Sequence, residues 1–243
     1  MSQVQKSPYR YNFAESERGG LCLKLRGLEI LFRPGGALWV ETHAVLIVAD
    51  LHLEKGSSFA TRGQMLPPYD TRETLTRLQA EVERLGPRLV VFLGDTFHDS
   101  GGEARLEACD HARIEGLALG RTLLWLAGNH DRTAPRGLPG DVAVAFSVAG
   151  LDLVHEPTEM PNGLEVAGHL HPCAKVRGKA ASVRRRCFVT DGERVVLPAF
   201  GAYAGGLNIK DEAFEKLMRR RPLAAVLGSD RVHAIGWKSL ESD

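Results

Sequence analysis

Charge of one sign is what this chain most plainly lacks: 31 lysines and arginines stand against 30 aspartates and glutamates, a formal net charge of +1. No global field therefore draws it toward nucleic acid or a membrane surface, and any such attraction must come from local patches. Long hydrophobic runs are missing too, since nothing approaches the roughly 20 apolar residues needed to cross a bilayer. Residues 1–18 are polar and hold no apolar secretory core. Cysteine is scarce, and Cys22, Cys109, Cys173 and Cys187 form no CxxC pair. That spacing argues against a disulfide framework and for reduced thiols in a cytoplasmic protein. There is no internal repeat, low-complexity segment or linker. The 243 residues read as a loose arm over 1–19 and a single domain over 20–243, long enough to bury a substantial core.

Short β-favouring runs follow one another at Leu21–Leu25, Leu28–Phe32, Ala37–Glu41 and Ala44–Ala49. Gly27, Pro34-Gly35-Gly36 and Thr42-His43 separate them, which gives a meander. A helix is predicted over Thr71–Leu85, with Asp70 as N-cap, Glu73 completing a capping box and Gly86-Pro87 as the stop. The strand Leu89–Leu93, a helix over Glu103–Leu119 and the strand Thr122–Ala127 come next. This rhythm implies parallel strands packed against helices, an α/β fold. Strands are expected again at Val142–Val148, Leu151–His155, Leu164–Ala167, Ser182–Thr190 and Arg194–Leu197, with Asp191-Gly192 as a two-residue hairpin turn. A glycine-rich stretch, 201–206, precedes a helix near Glu212–Arg219 and a closing hairpin of Ala224–Leu227 and Val232–Trp237.

Against this ordinary background the histidines are unevenly placed. Six of the nine lie in five blocks: Asp50-Leu51-His52, Gly94-Asp95-Thr96-Phe97-His98-Asp99, Gly128-Asn129-His130-Asp131, Val154-His155-Glu156 and Gly168-His169-Leu170-His171. Asp50, Asp95 and Asn129 each follow an apolar strand, and in open α/β sheets ligands gather at the carboxyl ends of strands. Imidazole and carboxylate together suit divalent transition metals. Gly94 lets the backbone come close, so the Asp95 carboxylate can bridge two cations, while Asn129 adds a neutral carbonyl oxygen. Two adjacent dications bind a phosphate ester and turn water into a nucleophile at neutral pH. Taken singly, each residue has a bland reading, Asp50 as a turn residue and His155 as a hydrogen-bonded histidine at a strand end. The joint pattern excludes accident: Gly-Asn-His-Asp alone is expected by chance on the order of once per thousand chains of this length.

The five blocks resemble those of the calcineurin-like metallophosphoesterases. The resemblance implies a four-layer αββα sandwich, two mixed β-sheets flanked by helices, with a two-metal hydrolytic centre. Carried over by motif, Asp50, His52, Asp95 and His171 hold one ion, and Asp95, Asn129, His155 and His169 the other. His130 is then the catalytic histidine beside the scissile phosphate, with Asp131 orienting its ring. Gly94–His98 is similar to the GDxFH block of the superfamily's DNA double-strand-break-repair nucleases, where the extra histidine, here His98, supports work on a diester. Asp50–Lys55, Gly63–Pro68 and Leu197–Gly201 are similar to the bacterial DNA-ligase-associated metallophosphoesterases. Those are encoded beside a helicase and a ligase and are regarded as manganese-dependent DNA endonucleases.

What this resemblance implies is a DNA substrate, single-stranded or flapped, and a functional association with a DNA ligase and a helicase. It also implies two divalent ions, Mn(2+) first, although the same ligands accept iron or zinc. The expected chemistry is in-line attack on phosphorus by a hydroxide between the ions, with His130 serving the leaving oxygen. A phosphomonoesterase or small-molecule phosphodiesterase is the alternative on the same scaffold. A non-catalytic scaffold is disfavoured because every ligand is present.

The remaining candidates are weaker. Lys55 and Arg62 follow the first block and are as suited to a phosphate contact as to a solvated loop. The runs Arg184–Arg186 and Arg219–Arg221 can track a nucleic-acid backbone, but a solvated surface explains them better. Cys173 falls just after the last histidine block, Tyr203 is a base-stacking candidate, and His43, His111 and His233 read as ordinary. Symmetric homodimers are the base-rate expectation for the assembly.

Overall fold

The computed structural model describes residues 13–16, 19–129, 135–178 and 181–243. Eight strands make a first sheet in sequential order: β1 (Phe13–Glu15), β2 (Leu21–Leu25), β3 (Leu28–Phe32), β4 (Leu38–Val40), β5 (Val45–Ala49), β6 (Leu89–Leu93), β7 (Thr122–Leu126) and β8 (Asp141–Ala143). The meander up to β5 is antiparallel, and β5 to β8 are parallel. The second sheet holds β9 (Ala145–Val148), β10 (Leu151–Val154), β11 (Leu164–Ala167), β12 (Pro172–Val176), β13 (Val183–Thr190), β14 (Arg194–Val196), β15 (Leu207–Asn208), β16 (Leu223–Leu227), β17 (Val232–Ile235) and β18 (Leu240–Glu241). It mixes parallel pairs (β10 with β11, β11 with β14) and antiparallel ones. The helices are α1 (Lys55–Ala60), α2 (Asp70–Leu85), α3 (Gly102–Arg105), α4 (Ala108–Ala118) and α5 (Glu212–Leu217).

The pleat explains the layers. In β5, Val45, Ile47 and Ala49 face the second sheet, while Leu46 and Val48 face the helices, as a strand buried on both sides requires. Leu75, Leu78, Val82 and Leu85 line one stripe of α2 and join Val90, Phe92 and Trp125 beneath it. Phe214 of α5 covers the far face of the second sheet with Cys187, Val189 and Ala224. The order is helices, sheet, sheet, helix: an αββα sandwich of two mixed sheets, as the sequence implied. Phe32 stacks on Phe188 across the two sheets at 4.3 Å, and Phe92 on Trp125 at 3.8 Å; such pairs add about 0.5–1.5 kcal/mol beyond buried area.

Several boundaries differ from expectation. Phe13–Glu15, in the stretch read as an arm, pairs with β2 as an edge strand. Asp70 is not the N-cap of α2, where Tyr69 holds that place without a side-chain bond. Its carboxylate accepts instead from the Lys55 and Gly56 N–H groups at 2.8 and 3.1 Å, capping α1. The predicted helix Glu103–Leu119 breaks at Leu106 and Glu107, whose ψ of 125° and 146° leave the helical region, and Glu103 turns its carboxylate to the Arg136 and Gly137 N–H groups. The predicted strand Val142–Val148 breaks at exposed Val144, so that β8 closes one sheet and β9 opens the other. The Asp191-Gly192 turn has its hairpin, but Thr190 pairs with Val195, so four residues close it. Among the described residues no helix is long and apolar enough to cross a membrane.

Candidate metal centre

The parallel pairing of β5, β6 and β7 brings their carboxyl ends to one rim, from which Asp50, Asp95 and Asn129 emerge. The loops after β10 and β11 deliver His155 and Gly168–His171 to the same rim. The main chain then laces the blocks together. The His52 and Leu53 N–H groups donate to the Asp95 and Thr96 oxygens at 2.9 and 2.8 Å, and His98 N–H returns to Leu53 O at 2.9 Å. The His169 N–H donates to the Asp50 carboxylate at 3.0 and 3.2 Å, which aims that side chain from across the second sheet.

The backbone is strained where it carries these ligands. Asp50, His52, Asp95, His169 and His171 all have left-handed φ, five of the nine such non-glycine residues among those described. Each costs of order 1–3 kcal/mol, a cost found concentrated at functional sites. Two glycines are needed for the packing. A Cβ at Gly94, whose φ is +69°, would overlap the His155 ring, and one at Gly168 would lie 2.7 Å from Asp50 Oδ2.

Two groups of donors result. Asp50, His52, Asp95 and His171 offer atoms within 4.8 Å of one another. His52 Nε2 and His171 Nε2 are 3.2 Å apart, with Asp50 Oδ1 3.6 Å from His171 Nε2. In the second group, Asn129 Oδ1 lies 2.8 Å from His155 Nε2 and 3.0 Å from His169 Nδ1. Asp95 faces both: Oδ2 is 3.8 Å from His52 Nε2, and Oδ1 is 3.5 Å from His155 Nε2. Asp50, Asp95, His52 and His155 are buried. Buried carboxylates converging with imidazole tips form a donor set that fits divalent cations, whose charge offsets the desolvation of the acids.

All seven metal positions read from the sequence therefore meet at one rim. Exposed Glu156 joins His155 and His169 in the second group and was missed; its only signal was its place beside His155. His98 is brought against the first group, edge-on to His52 at 5.8 Å and tilted on Phe59 at 5.7 Å. Its neighbour Asp99 takes Arg105 at 2.8 Å. Burial alone would raise Asp99, but the nearby Ser58 hydroxyl and hydrogen bonds from Arg105 and the Gly101 N–H hold its carboxyl below the usual value. His130 and Asp131 lie outside the described residues.

The weaker candidates separate. Lys55 Nζ donates to Tyr203 O at 3.0 Å, while Arg62 is exposed beyond α1. Arg219 and Arg220 lean on Glu193 at 3.4 and 3.2 Å, which accounts for much of their charge. Cys173 is buried and, with His43, His111 and His233, joins neither donor group among the described residues.

Residues 43–177 match the family model of the calcineurin-like phosphoesterases. That stretch exceeds half of the chain and contains every metal position above. The chain belongs to this family. It is a metal-dependent hydrolase, and the αββα sandwich is the phosphoesterase fold. In structure the phosphoesterase is similar to the crystallised nuclease MPE of Pseudomonas putida, with a TM-score of 0.68 over 93% of this chain and 100% of that one. The two are 24% identical, so the likeness establishes the fold. No curated protein matches this phosphoesterase in sequence.

Proposed function

We propose that this phosphoesterase is a DNA endonuclease that hydrolyses phosphodiester bonds of single-stranded or flapped DNA with two manganese ions, in cytoplasmic DNA repair. The observation that carries this reading is the divided aim of Asp95, one oxygen toward His52 and the other toward His155. One ion would rest on Asp50, His52, Asp95 and His171, and the other on Asp95, Asn129, His155 and His169. When bound, such a pair supplies a clamp for phosphate oxygens and a water acidified toward neutrality.

The chain's own groups supply the rest. His130, placed by the Gly-Asn-His-Asp motif, gives a proton to the leaving oxygen, and Asp131 holds its ring in one tautomer. His98, edge-on to His52, supports the diester over the monoester reading. The fold shared with the nuclease MPE of Pseudomonas putida supports it as well. Manganese, and association with a DNA ligase and a helicase, follow from the motifs shared with the ligase-associated subgroup.

The experiment is incubation with manganese, in parallel, of closed circular single-stranded DNA and p-nitrophenyl phosphate. Loss of circles without release of p-nitrophenol is the expected result. Release of p-nitrophenol with intact circles would overturn the nuclease reading and make the protein a phosphomonoesterase.

A further inference from the structure

Among the described residues two arginines are buried, and both are neutralised: Arg33 Nε lies 2.8 Å from Glu81, and Arg194 Nε 2.5 Å from Glu165. Arg77 and Arg186 are not. Arg77, on α2, donates from Nη2 to Phe200 O at 2.8 Å, and Arg186, on β13, from Nη1 to Ala199 O at 2.7 Å. Among the described residues neither has a carboxylate within ion-pair distance. The Arg77 Nε is buried without an acceptor. Burial and then the charge of Arg186 bring the Arg77 guanidinium down to about 10, and burial lowers Arg186 as well. Two like charges are thus kept together in a partly desolvated place. Glu73 acts on both from an exposed position.

A third cation joins them. Lys55 Nζ donates to Tyr203 O, and the acid that acts on it, Asp70, is already committed to the first N–H groups of α1. All three cations hang on carbonyl oxygens of one segment, Ala199–Tyr203, which has no acidic side chain. That segment is stitched to the metal rim, with Phe200 N–H to Ala49 O at 2.8 Å and Gly201 N–H to Asp50 O at 3.1 Å. A carbonyl fixes a guanidinium without neutralising it, so the charge stays available to an anion.

We propose that Lys55, Arg77 and Arg186 form a subsite for the phosphodiester backbone of the DNA strand, holding a phosphate other than the one at the metals. The identity of this ligand rests on the nuclease reading above. A phosphomonoester has no second phosphate, so the subsite serves a polymer. It also answers how a chain with a net charge of only +1 holds a polyanion: the field is local.

The test compares wild type with Arg77→Gln/Arg186→Gln, Arg77→Lys/Arg186→Lys and Arg121→Gln. Arg121 also donates to a carbonyl, Leu117 O at 2.6 Å, but it precedes β7 at the end opposite Asn129. Binding of a fluorescent single-stranded deoxyoligonucleotide is followed by anisotropy over a range of salt, without manganese. The double Gln variant is expected to bind about 10-fold or more weakly, with a log–log salt slope shallower by about 0.7 for one phosphate no longer neutralised. Arg121→Gln is expected to match wild type, and the double Lys variant to recover most of the slope. Unchanged affinity and slope in the double Gln variant would overturn the subsite. So would a parallel loss of manganese uptake measured by calorimetry, which makes the arginines structural. Wild type that binds through these arginines but cuts no DNA keeps the subsite and sinks the nuclease reading. A double Gln variant that binds and cuts as wild type does the reverse.

Discussion

His155 donates from Nδ1 to the main-chain oxygen of Leu93 at 2.9 Å. A carbonyl only accepts, so the proton of the neutral ring sits on Nδ1 and Nε2 carries a lone pair. That lone pair points toward Asn129 Oδ1 and Asp95 Oδ1, 2.8 and 3.5 Å away. Three acceptors meeting in this way describe a place for a cation. Leu93 ends β6 and Asp95 follows it by two residues, so one strand end both provides the carboxylate that faces the two donor groups and orients the imidazole opposite it.

Replacing Asp95 removes a donor from both groups at once. Asp95→Ala is expected to lower manganese binding from two ions per chain to one or none by calorimetry. Hydrolysis should fall by more than the roughly 10–100-fold typical of changes to groups behind the ligands. A variant that kept both ions would show that the carboxylate is not shared.

Gly94→Ala tests the packing behind that carboxylate. The new methyl group meets the His155 ring in a backbone with φ of +69°, so the protein should lose about 1–3 kcal/mol. For a chain of this size each kcal/mol lowers Tm by roughly 2–4 °C. Manganese affinity should weaken in parallel, because the imbalance falls on His155. Unaltered melting and metal titration would mean that the ring has room the structure does not show.

Glu165 and Arg194 offer a contrast far from the chemistry. Both are buried, paired at 2.5 Å, and Arg194 also donates to the carbonyls of Leu217 and Thr158. Arg194→Met strands a buried carboxylate and should cost about 3–5 kcal/mol. Turnover per folded molecule should stay unchanged, as followed by chemical unfolding and active-site-normalised rates. Loss of turnover without loss of stability would put the pair in the catalytic machinery.

His130→Ala is expected to retain both ions and to slow hydrolysis about 10²–10⁴-fold, the usual worth of a positioned acid. The defect should be largest on diesters with poor leaving groups. Full turnover on such a substrate would remove His130 from the reaction.

Most of the site was legible because its chemistry needs particular side chains next to strand ends. Asp50, Asp95 and Asn129 each follow an apolar run long enough to read as a strand, and short histidine pairs have few other uses. What the sequence did not reveal was decided by distant partners. Asp70 has the form of an N-cap for α2, yet the loop geometry hands its carboxylate to α1. Leu106 and Glu107 sit in a helical pattern, but Arg105 is drawn to Asp99 and Glu103 to Gly137, and the helix breaks just after them, at Leu106 and Glu107. Pro172–Val176 is a strand through distant partners, pairing with β13, β15 and β18. The unneutralised state of Arg77 and Arg186 had no local sign, since it depends on the acids that are not nearby.

Anomalous diffraction at the manganese edge, from crystals grown with excess Mn(2+), tests the shared carboxylate most directly. Two peaks roughly 3.5–4 Å apart, with Asp95 Oδ1 directed at one and Oδ2 at the other, are the expected result. A single peak, or two peaks with the Asp95 side chain turned to solvent, would contradict it.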